Sequence, residues 1–239
     1  VMLEYVTLYN LAGKPEKAYE IIMSHSFRPW EGAEGRISGQ YKIALLEMAK
    51  KDIAAGAYSE AEEKLEKALV YPENLGEGKL EGTKDNNLYY YLGLVKEALG
   101  KEGAEECFHL AELGDNEPAG AMYYYDQPAD MILYKGLAKQ KLGKTKEAHA
   151  CFNKLMDYGE RHLNDVVKND FFAVSLPDFL IFEDDMDKRN KAHCYYLMGL
   201  ANLGMGQKEK AVEEFDKALE YDFNHQNCRI YKELAKGEL

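Results

Sequence analysis

Apolar residues recur four positions apart along the chain, one small and one large, which places both on one face of a helix. The pattern occurs in five segments, each with a helix, a glycine at a turn and a second helix rich in small residues. The turn glycines lie at spacings of 43, 44, 43 and 63 residues, at Gly13, Gly56, Gly100, Gly143 and Gly206. Self-similarity at such a period is typical of helical repeat arrays.

Each predicted hairpin pairs a small residue with a large one. Before the turn, Gly93, Gly136 and Gly199 leave room for the second helix to approach closely. After the turn, an alanine and a large apolar residue four positions later share a helix face, as Ala211 and Phe215 do. The turn glycine supplies the backbone conformation that ends the first helix. The pattern therefore predicts tightly packed helical hairpins.

The last hairpin carries the motif most clearly, with Tyr195, Met198-Gly199, Ala211, Phe215 and Ala218. These residues resemble the signature of the tetratricopeptide repeat family. The hairpin period is about 43 residues here against 34 in the family, so longer connectors must absorb the difference. The hairpin ending at Gly100 departs from the pattern, because its second helix is one residue short after the turn.

The resemblance implies an all-α, right-handed solenoid in a single domain, 1–239. A capping helix is expected because a terminal repeat must cover its neighbour's apolar face. The predicted hairpins are 1–26, 38–71, 86–113, 129–158 and 191–221, with a helical insertion at 160–190 and the capping helix at 227–239. The resemblance also implies a ligand groove lined by the first helix of each hairpin. The corresponding positions are Lys50, Asn87, Tyr90, Asp130, His193 and Tyr196.

Two connectors carry the same motif in register with the repeat. Glu34-Gly35-Arg36 and Glu77-Gly78-Lys79 lie 43 residues apart. One interpretation is a helix stop and a tight turn, with the carboxylate capping a helix or pairing across repeats. The alternative is a ridge that presents side chains to a ligand. That ridge would comprise Trp30, Glu31, Glu34 and Glu77.

Two further connectors are rich in large residues. Three consecutive tyrosines at 123–125 cannot share one helix face, so one of them, with Tyr124 as the candidate, is expected to be exposed for recognition. The stretch FFAVSLPDFLIF, residues 171–182, is too apolar for a solvated loop. We expect it to form an extra short helix with Pro177 near its first turn.

The connectors together, with the sequence NDFFAVSLPDFLIFEDDMDKRNKAHCYYLMG at 169–199, resemble the C-terminal repeat region of large bacterial multidomain proteins. Those proteins carry N-terminal β-rich domains of uncharacterised, carbohydrate-related function. The resemblance implies that this chain is one part of a larger protein, and a start at Val1 agrees with that expectation.

Composition excludes several classes of function. The formal net charge of −12 disfavours nucleic-acid binding, and no apolar run is long enough to span a bilayer. None of the four cysteines forms a CxxC pair, which argues against zinc and predicts packed, reduced thiols in a cytoplasmic protein. No phosphate-binding loop, HExxH motif or GxSxG elbow is present, so no cofactor, metal or catalytic residue is predicted.

Two functions from different classes remain. The first is a non-catalytic scaffold that binds a protein, a peptide or its own upstream domains. The second is an accessory segment of a carbohydrate-active enzyme, whose connector carboxylates contribute to a sugar site. The direction in which Glu34 and Glu77 point distinguishes them: convergence in one cleft with Glu31 beside Trp30 favours sugar, and helix capping favours the scaffold.

Overall fold

The computed structural model describes residues 1–29, 33–120, 127–167 and 185–237. Within these ranges the chain is all-α and contains no β-strand. The helices of these ranges follow one another as five hairpins and a final helix, so the predicted all-α helical-repeat fold class is confirmed. By packing, the chain divides into two compact units, Val1–Ala111 and Glu112–Glu238. The assignment of 1–239 to a single domain stays a prediction.

Unit 1 contains the first three hairpins. In chain order its helices are α1 (Met2–Leu11), α2 (Pro15–Ser24), α3 (Arg36–Ala54), α4 (Tyr58–Ala68), α5 (Asn86–Leu99) and α6 (Ala104–Ala111), with a short 3-10 helix at Glu73–Leu75. Each helix packs against the next in the chain, and α1 also contacts α3. The apolar stripes of consecutive helices therefore form one continuous core.

The described part of unit 2 contains two hairpins and the final helix. These helices are α7 (Asp130–Lys141), α8 (Thr145–His162), α9 (Met186–Gly204), α10 (Lys208–Tyr221) and α11 (Gln226–Lys236). Consecutive helices pack together here as well, and α9 also contacts α7 and α11. The four cysteines of the chain are free and buried, in agreement with packed thiols.

The turn glycines have the backbone conformation that the repeat requires. All five have positive φ, between 64° at Gly100 and 75° at Gly56. The short turn of the third hairpin has a second left-handed glycine, Gly103, and α6 begins only at Ala104. Left-handed backbone disfavours residues with a side chain, so glycine at these turns fixes where each first helix ends.

The small helix glycines allow the close packing that the sequence predicts. A Cβ added at Gly93, Gly136 or Gly199 would lie 2.6, 2.2 or 2.4 Å from the phenylalanine ring of the second helix in the same hairpin. The rings belong to Phe108, Phe152 and Phe215, all of them buried. Any side chain larger than hydrogen would therefore push the two helices of a hairpin apart.

The helix ends around the predicted insertion differ from the sequence-based boundaries. Helix α8 continues to His162, and α9 begins at Met186 instead of near residue 191. Asp185 caps α9 by accepting a hydrogen bond from the Lys188 amide at 3.1 Å, which explains the earlier start. Most of the predicted insertion, 168–184, lies outside the described residues, and so does Pro177.

Candidate functional site

Glu77, a predicted ligand-contacting residue, caps a helix. One carboxylate oxygen accepts from the Gly35 amide at 2.9 Å and the other from the Ser38 amide at 3.1 Å. These amides belong to the N-terminal end of α3, where helix N–H groups lack partners and the helix dipole favours negative charge. The Glu-Gly motif of the second connector thus binds the Glu-Gly motif of the first. Glu34 lies exposed directly before Gly35.

Asn74 joins the same two connectors from the other side. Its side-chain amide donates to the carbonyl oxygens of Ile22 at 2.7 Å and His25 at 2.9 Å, which terminate α2. Its own carbonyl accepts from the Phe27 amide at 2.7 Å. The second connector therefore supplies hydrogen-bond partners for backbone groups at the end of α2 and at the start of α3. This role is structural.

A buried ion-pair cluster anchors the start of α5. The Asp85 carboxylate lies 2.9 Å from Lys42 Nζ and 2.6 Å from Lys79 Nζ. Burial of Lys42 opposes its charge, but the attraction of Asp85 outweighs this cost and raises the pKa of Lys42. Lys79, the base of the second connector motif, thereby pairs with the residue that directly precedes α5 in the same connector.

The groove residues of unit 1 are brought together around one ring. Lys50 pairs with Glu47 at 2.6 Å, and its ammonium lies 5.7 Å from the centre of the Tyr91 ring. Tyr90 packs edge-on against Tyr91, and burial raises the pKa of Tyr90 to about 12. Asn87 lies one turn earlier on α5 and is half-buried. Lys50 and Tyr90 thus both lie next to the Tyr91 ring.

The groove residues of unit 2 lie beneath the final helix. Tyr231 of α11 donates its hydroxyl hydrogen bond to Asp130 Oδ2 at 2.8 Å, and both residues are buried. The Tyr231 ring also lies 6.1 Å from the ring of Tyr196 and 6.2 Å from that of Tyr134. Asp130 and Tyr196 therefore hold α11 in place and do not face solvent. A ligand that used them would have to displace this helix.

His193, the third groove residue of unit 2, is also internal. Its Nε2 lies 2.9 Å from the Ala119 carbonyl oxygen, and Tyr158 packs edge-on against its ring. Burial lowers the pKa of His193 to about 4, despite the favourable hydrogen bond to that carbonyl. Burial also lowers the pKa of His225 of the same unit. Both imidazoles are therefore neutral near pH 7.

The lowered pKa of His193 predicts that the free energy of unfolding decreases as the pH is lowered. The His193 pKa is about 4 in the folded chain against 6.5 ordinarily, so the unfolded state takes up a proton first as pH falls through that window. Stability should be complete above pH 6.5 and decline towards pH 4 by up to about 1.4 kcal/mol per pH unit for this group. His193→Gln should flatten the decline in urea titrations, whereas His149→Gln, at an exposed site, should not. If stability changes with pH at the same rate in both variants, this pH dependence does not come from His193.

An exposed apolar surface on α1 was not predicted from the sequence. Met2, Tyr5 and Leu8 follow one another along one side of the helix, and Tyr5 and Leu8 are 53% and 59% exposed. We call these three residues the α1 face. Their apolar periodicity assigns them to the core, so the pattern alone conceals their exposure. An alignment of the hairpins on their turn glycines could have revealed this exposure.

Three predicted site residues lie outside the described ranges: Trp30, Glu31 and Tyr124. Among the described residues, no group of three His, Cys, Asp or Glu side chains is arranged to hold a metal ion. Within the same ranges no helix is long and apolar enough to cross a bilayer.

No protein-family model matches the chain. Among solved structures it is similar to TTC0263, a thermophilic TPR protein of Thermus thermophilus, at 15% identity and a TM-score of 0.38, over 98% of this chain and 97% of that one. It is also similar to YrrB, described as a TPR protein with an unusual peptide-binding site, at 17% identity and a TM-score of 0.32, over 100% and 91% of the two chains. The MamA RS-1 ArsTM double mutant is similar at 17% identity and a TM-score of 0.27, over 82% and 89%. These TM-scores lie below 0.5, so the helical-repeat fold is argued from the hairpins themselves.

Proposed function

We propose that the chain is a non-catalytic interaction scaffold that binds a partner protein through a helix docked on the α1 face. The observation that carries the proposal is the exposure of Tyr5 and Leu8 at positions that the third and fifth hairpins bury. A contiguous apolar side of a helix open to solvent is typical of an interaction surface.

The repeat register supports a helix as the occupant. Counted back from the turn glycine, Tyr5 and Leu8 correspond to Leu92 and Val95 of α5, and both of these are buried where α5 packs on α4. In unit 2 the same positions are Met198 and Ala201 of α9, buried where α9 packs on α8. In each case the second helix of the preceding hairpin packs against this first helix. The α1 face has the shape and chemistry to receive another such helix.

The connector carboxylates support a scaffold over a sugar site. Glu77 has both carboxylate oxygens engaged by backbone amides of α3, which is the capping arrangement. A carboxylate that acts on a sugar must instead be directed into a cleft, at a set distance from a second carboxylate. We therefore favour a protein partner over a carbohydrate ligand. The chain's own upstream domains count as such a partner.

The proposal can be tested with a copy of the chain's own hairpin. Gly100 and Gly13 are 87 residues apart, so a second copy of residues 36–87 fused directly before Val1 places a copy of α4 before α1 as it stands before α5. The fused α4 should cover Tyr5 and Leu8. Burial of these two side chains should add about 2 kcal/mol to the free energy of unfolding, or about 4–8 °C in the thermal midpoint.

The matched control is Tyr5→Lys with Leu8→Lys, made in the fused and in the original chain. The original chain should tolerate these changes within about 1 kcal/mol because the side chains are exposed there. The fused chain should lose the added stability, and hydrogen exchange should show α1 protected only without the lysines. Equal effects of the lysines in both chains would contradict the proposal.

A further inference from the structure

The final helix, α11, is capped by a histidine. Nδ1 of His225 accepts a hydrogen bond from the Cys228 amide at 3.1 Å, so the ring takes the role that an Asn, Asp, Ser or Thr side chain usually has at a helix start. An imidazole nitrogen can accept such a bond only while it carries no proton. The start of α11 therefore depends on the protonation state of one residue.

A proton on His225 acts against the start of α11 in two ways. Protonation turns Nδ1 from an acceptor into a donor, so the Cys228 amide loses its partner at the helix end, where N–H groups have none within the helix. It also places a positive charge at the N-terminus of α11, where the helix dipole is itself positive. Both effects oppose the capped helix start.

The surroundings of His225 keep its ring neutral. Burial is the largest influence and lowers the pKa of His225, whereas the Asp222 carboxylate raises it and the Arg189 guanidinium of α9 lowers it. The ring centre lies 4.6 Å from that of Tyr196, also of α9. A charge on His225 further disfavours a charge on His193 of the same helix. Burial thus outweighs the attraction of Asp222 for a proton on the ring.

The charges around Cys228, the residue that His225 caps, have both signs. Asp216 of α10 and Asp222 act on its thiol against Lys232 and Arg229 of α11, and Asp216 pairs with Lys232. Burial is the main cause that raises the pKa of the Cys228 thiol to about 12, so this group stays protonated. Aspartate, lysine and arginine ordinarily titrate outside the range from about pH 5 to about pH 8, whereas histidine titrates within it.

The start of α11 also anchors this helix on the rest of unit 2. The Cys228 thiol donates to the Phe215 carbonyl oxygen of α10 at 3.3 Å, and three residues later Tyr231 covers Asp130 and Tyr196. Helix α11 packs against α10 and α9 and is the last in chain order. Terminal elements open locally at a lower free energy than core helices do. A disturbed start of α11 therefore acts first on the cover of Asp130 and Tyr196.

We propose that His225 makes α11 an acid-sensitive cover: uptake of a proton by its ring releases α11 and exposes Asp130 and Tyr196, while the two hairpins of unit 2 stay folded. This device is separate from the α1 face, which belongs to unit 1. In the open state the ring is free and titrates at its ordinary pKa of 6.5, whereas the closed state resists the proton. Opening is therefore favoured as the pH falls below 6.5, and the cover is closed above it.

Hydrogen exchange of the whole chain, followed by mass spectrometry from about pH 8 to about pH 5, tests the proposal. Opening constants are obtained after correction for the intrinsic exchange rate at each pH. We expect the opening constant of the α11 amides to rise by up to about tenfold for each pH unit below 6.5, because opening takes up one proton. The opening constant of the α10 amides should rise less.

His225→Asn is the matched variant, because asparagine is among the best N-cap residues and does not titrate. It should keep α11 protected and remove the pH dependence of its opening. His225→Ser supplies the same test if the asparagine variant does not fold, and circular dichroism checks each fold. His193→Gln alters the neighbouring buried imidazole and should leave the pH dependence of α11 opening in place.

Three results would overturn the proposal. The first is an unchanged pH dependence of α11 opening in the folded His225 variants. The second is a loss of that dependence in His193→Gln alone, which would place the acid response at His193. The third is an equal rise in the opening constants of α10 and α11, since α11 would then open only when the whole unit unfolds.

Discussion

Replacement of Phe152 by alanine should lower the free energy of unfolding by about 3–5 kcal/mol, one of the two largest single-residue effects that we expect in the chain. The ring is fully buried in unit 2. It lies against Gly136 of its own hairpin and Gly204 of the next, where an added Cβ would be 2.2 and 2.4 Å from the ring. One side chain therefore fills the space between α7, α8 and α9. Urea titration followed by circular dichroism measures the loss.

Phe223→Ala is the matched control in the same unit. Phe223 is 72% exposed, and the guanidinium of Arg229 lies 4.2 Å from the centre of its ring. Its loss should cost less than about 1 kcal/mol. If the two variants unfold at the same urea concentration, Phe152 does not hold the hairpins together, and the repeat register derived from the turn glycines is wrong.

The interior of each hairpin was predictable from the sequence because it depends on local spacing. Gly199 and Phe215 stand at fixed distances before and after Gly206, and the helix geometry turns those distances into a contact. The positive φ of Gly206 follows from the same argument. Such contacts join residues close in sequence, so one repeat suffices to predict them.

The connectors were only partly predictable. The two Glu-Gly motifs were found by their spacing, and helix capping was one of two interpretations. The sequence did not show that Glu77 would cap a helix that begins about 40 residues earlier, or that Asn74 would satisfy the end of α2. These contacts depend on how successive hairpins stack, which the spacing of one motif does not determine.

The groove candidates of unit 2 depended on an assumption that the structure does not share. Asp130, His193 and Tyr196 were assigned to a ligand groove by resemblance, with the first helices open to solvent. Burial of all three shows that unit 2 uses these positions internally. Asp130 and His193 use their polar groups to bind α11 and the loop at Ala119, respectively. The periodicity of the sequence cannot predict such contacts because they join residues up to 101 positions apart.

Tyr231 of α11 should be as important to unit 2 as Phe152. Its side chain is buried against Tyr134, Tyr196 and Phe215, and its hydroxyl donates to Asp130. Tyr231→Ala should therefore cost about 3–5 kcal/mol. Tyr231→Phe keeps the ring and removes only the donor to a buried carboxylate, for which we expect about 1–3 kcal/mol. Urea titrations of both variants separate packing from hydrogen bonding.

Tyr221→Phe is the control, since it removes a tyrosine hydroxyl at a site that is more than one-third exposed and should change stability by less than about 0.5 kcal/mol. If Tyr231→Phe behaves like this control, the hydrogen bond to Asp130 contributes nothing net. If Tyr231→Ala is also tolerated, α11 packs only weakly on the rest of unit 2. Its dissociation would then expose Asp130 and Tyr196 to solvent. The groove interpretation of those two residues would then regain its basis, because a partner helix could take the place of α11. A large loss in both Tyr231 variants means instead that unit 2 is closed to ligands at these positions.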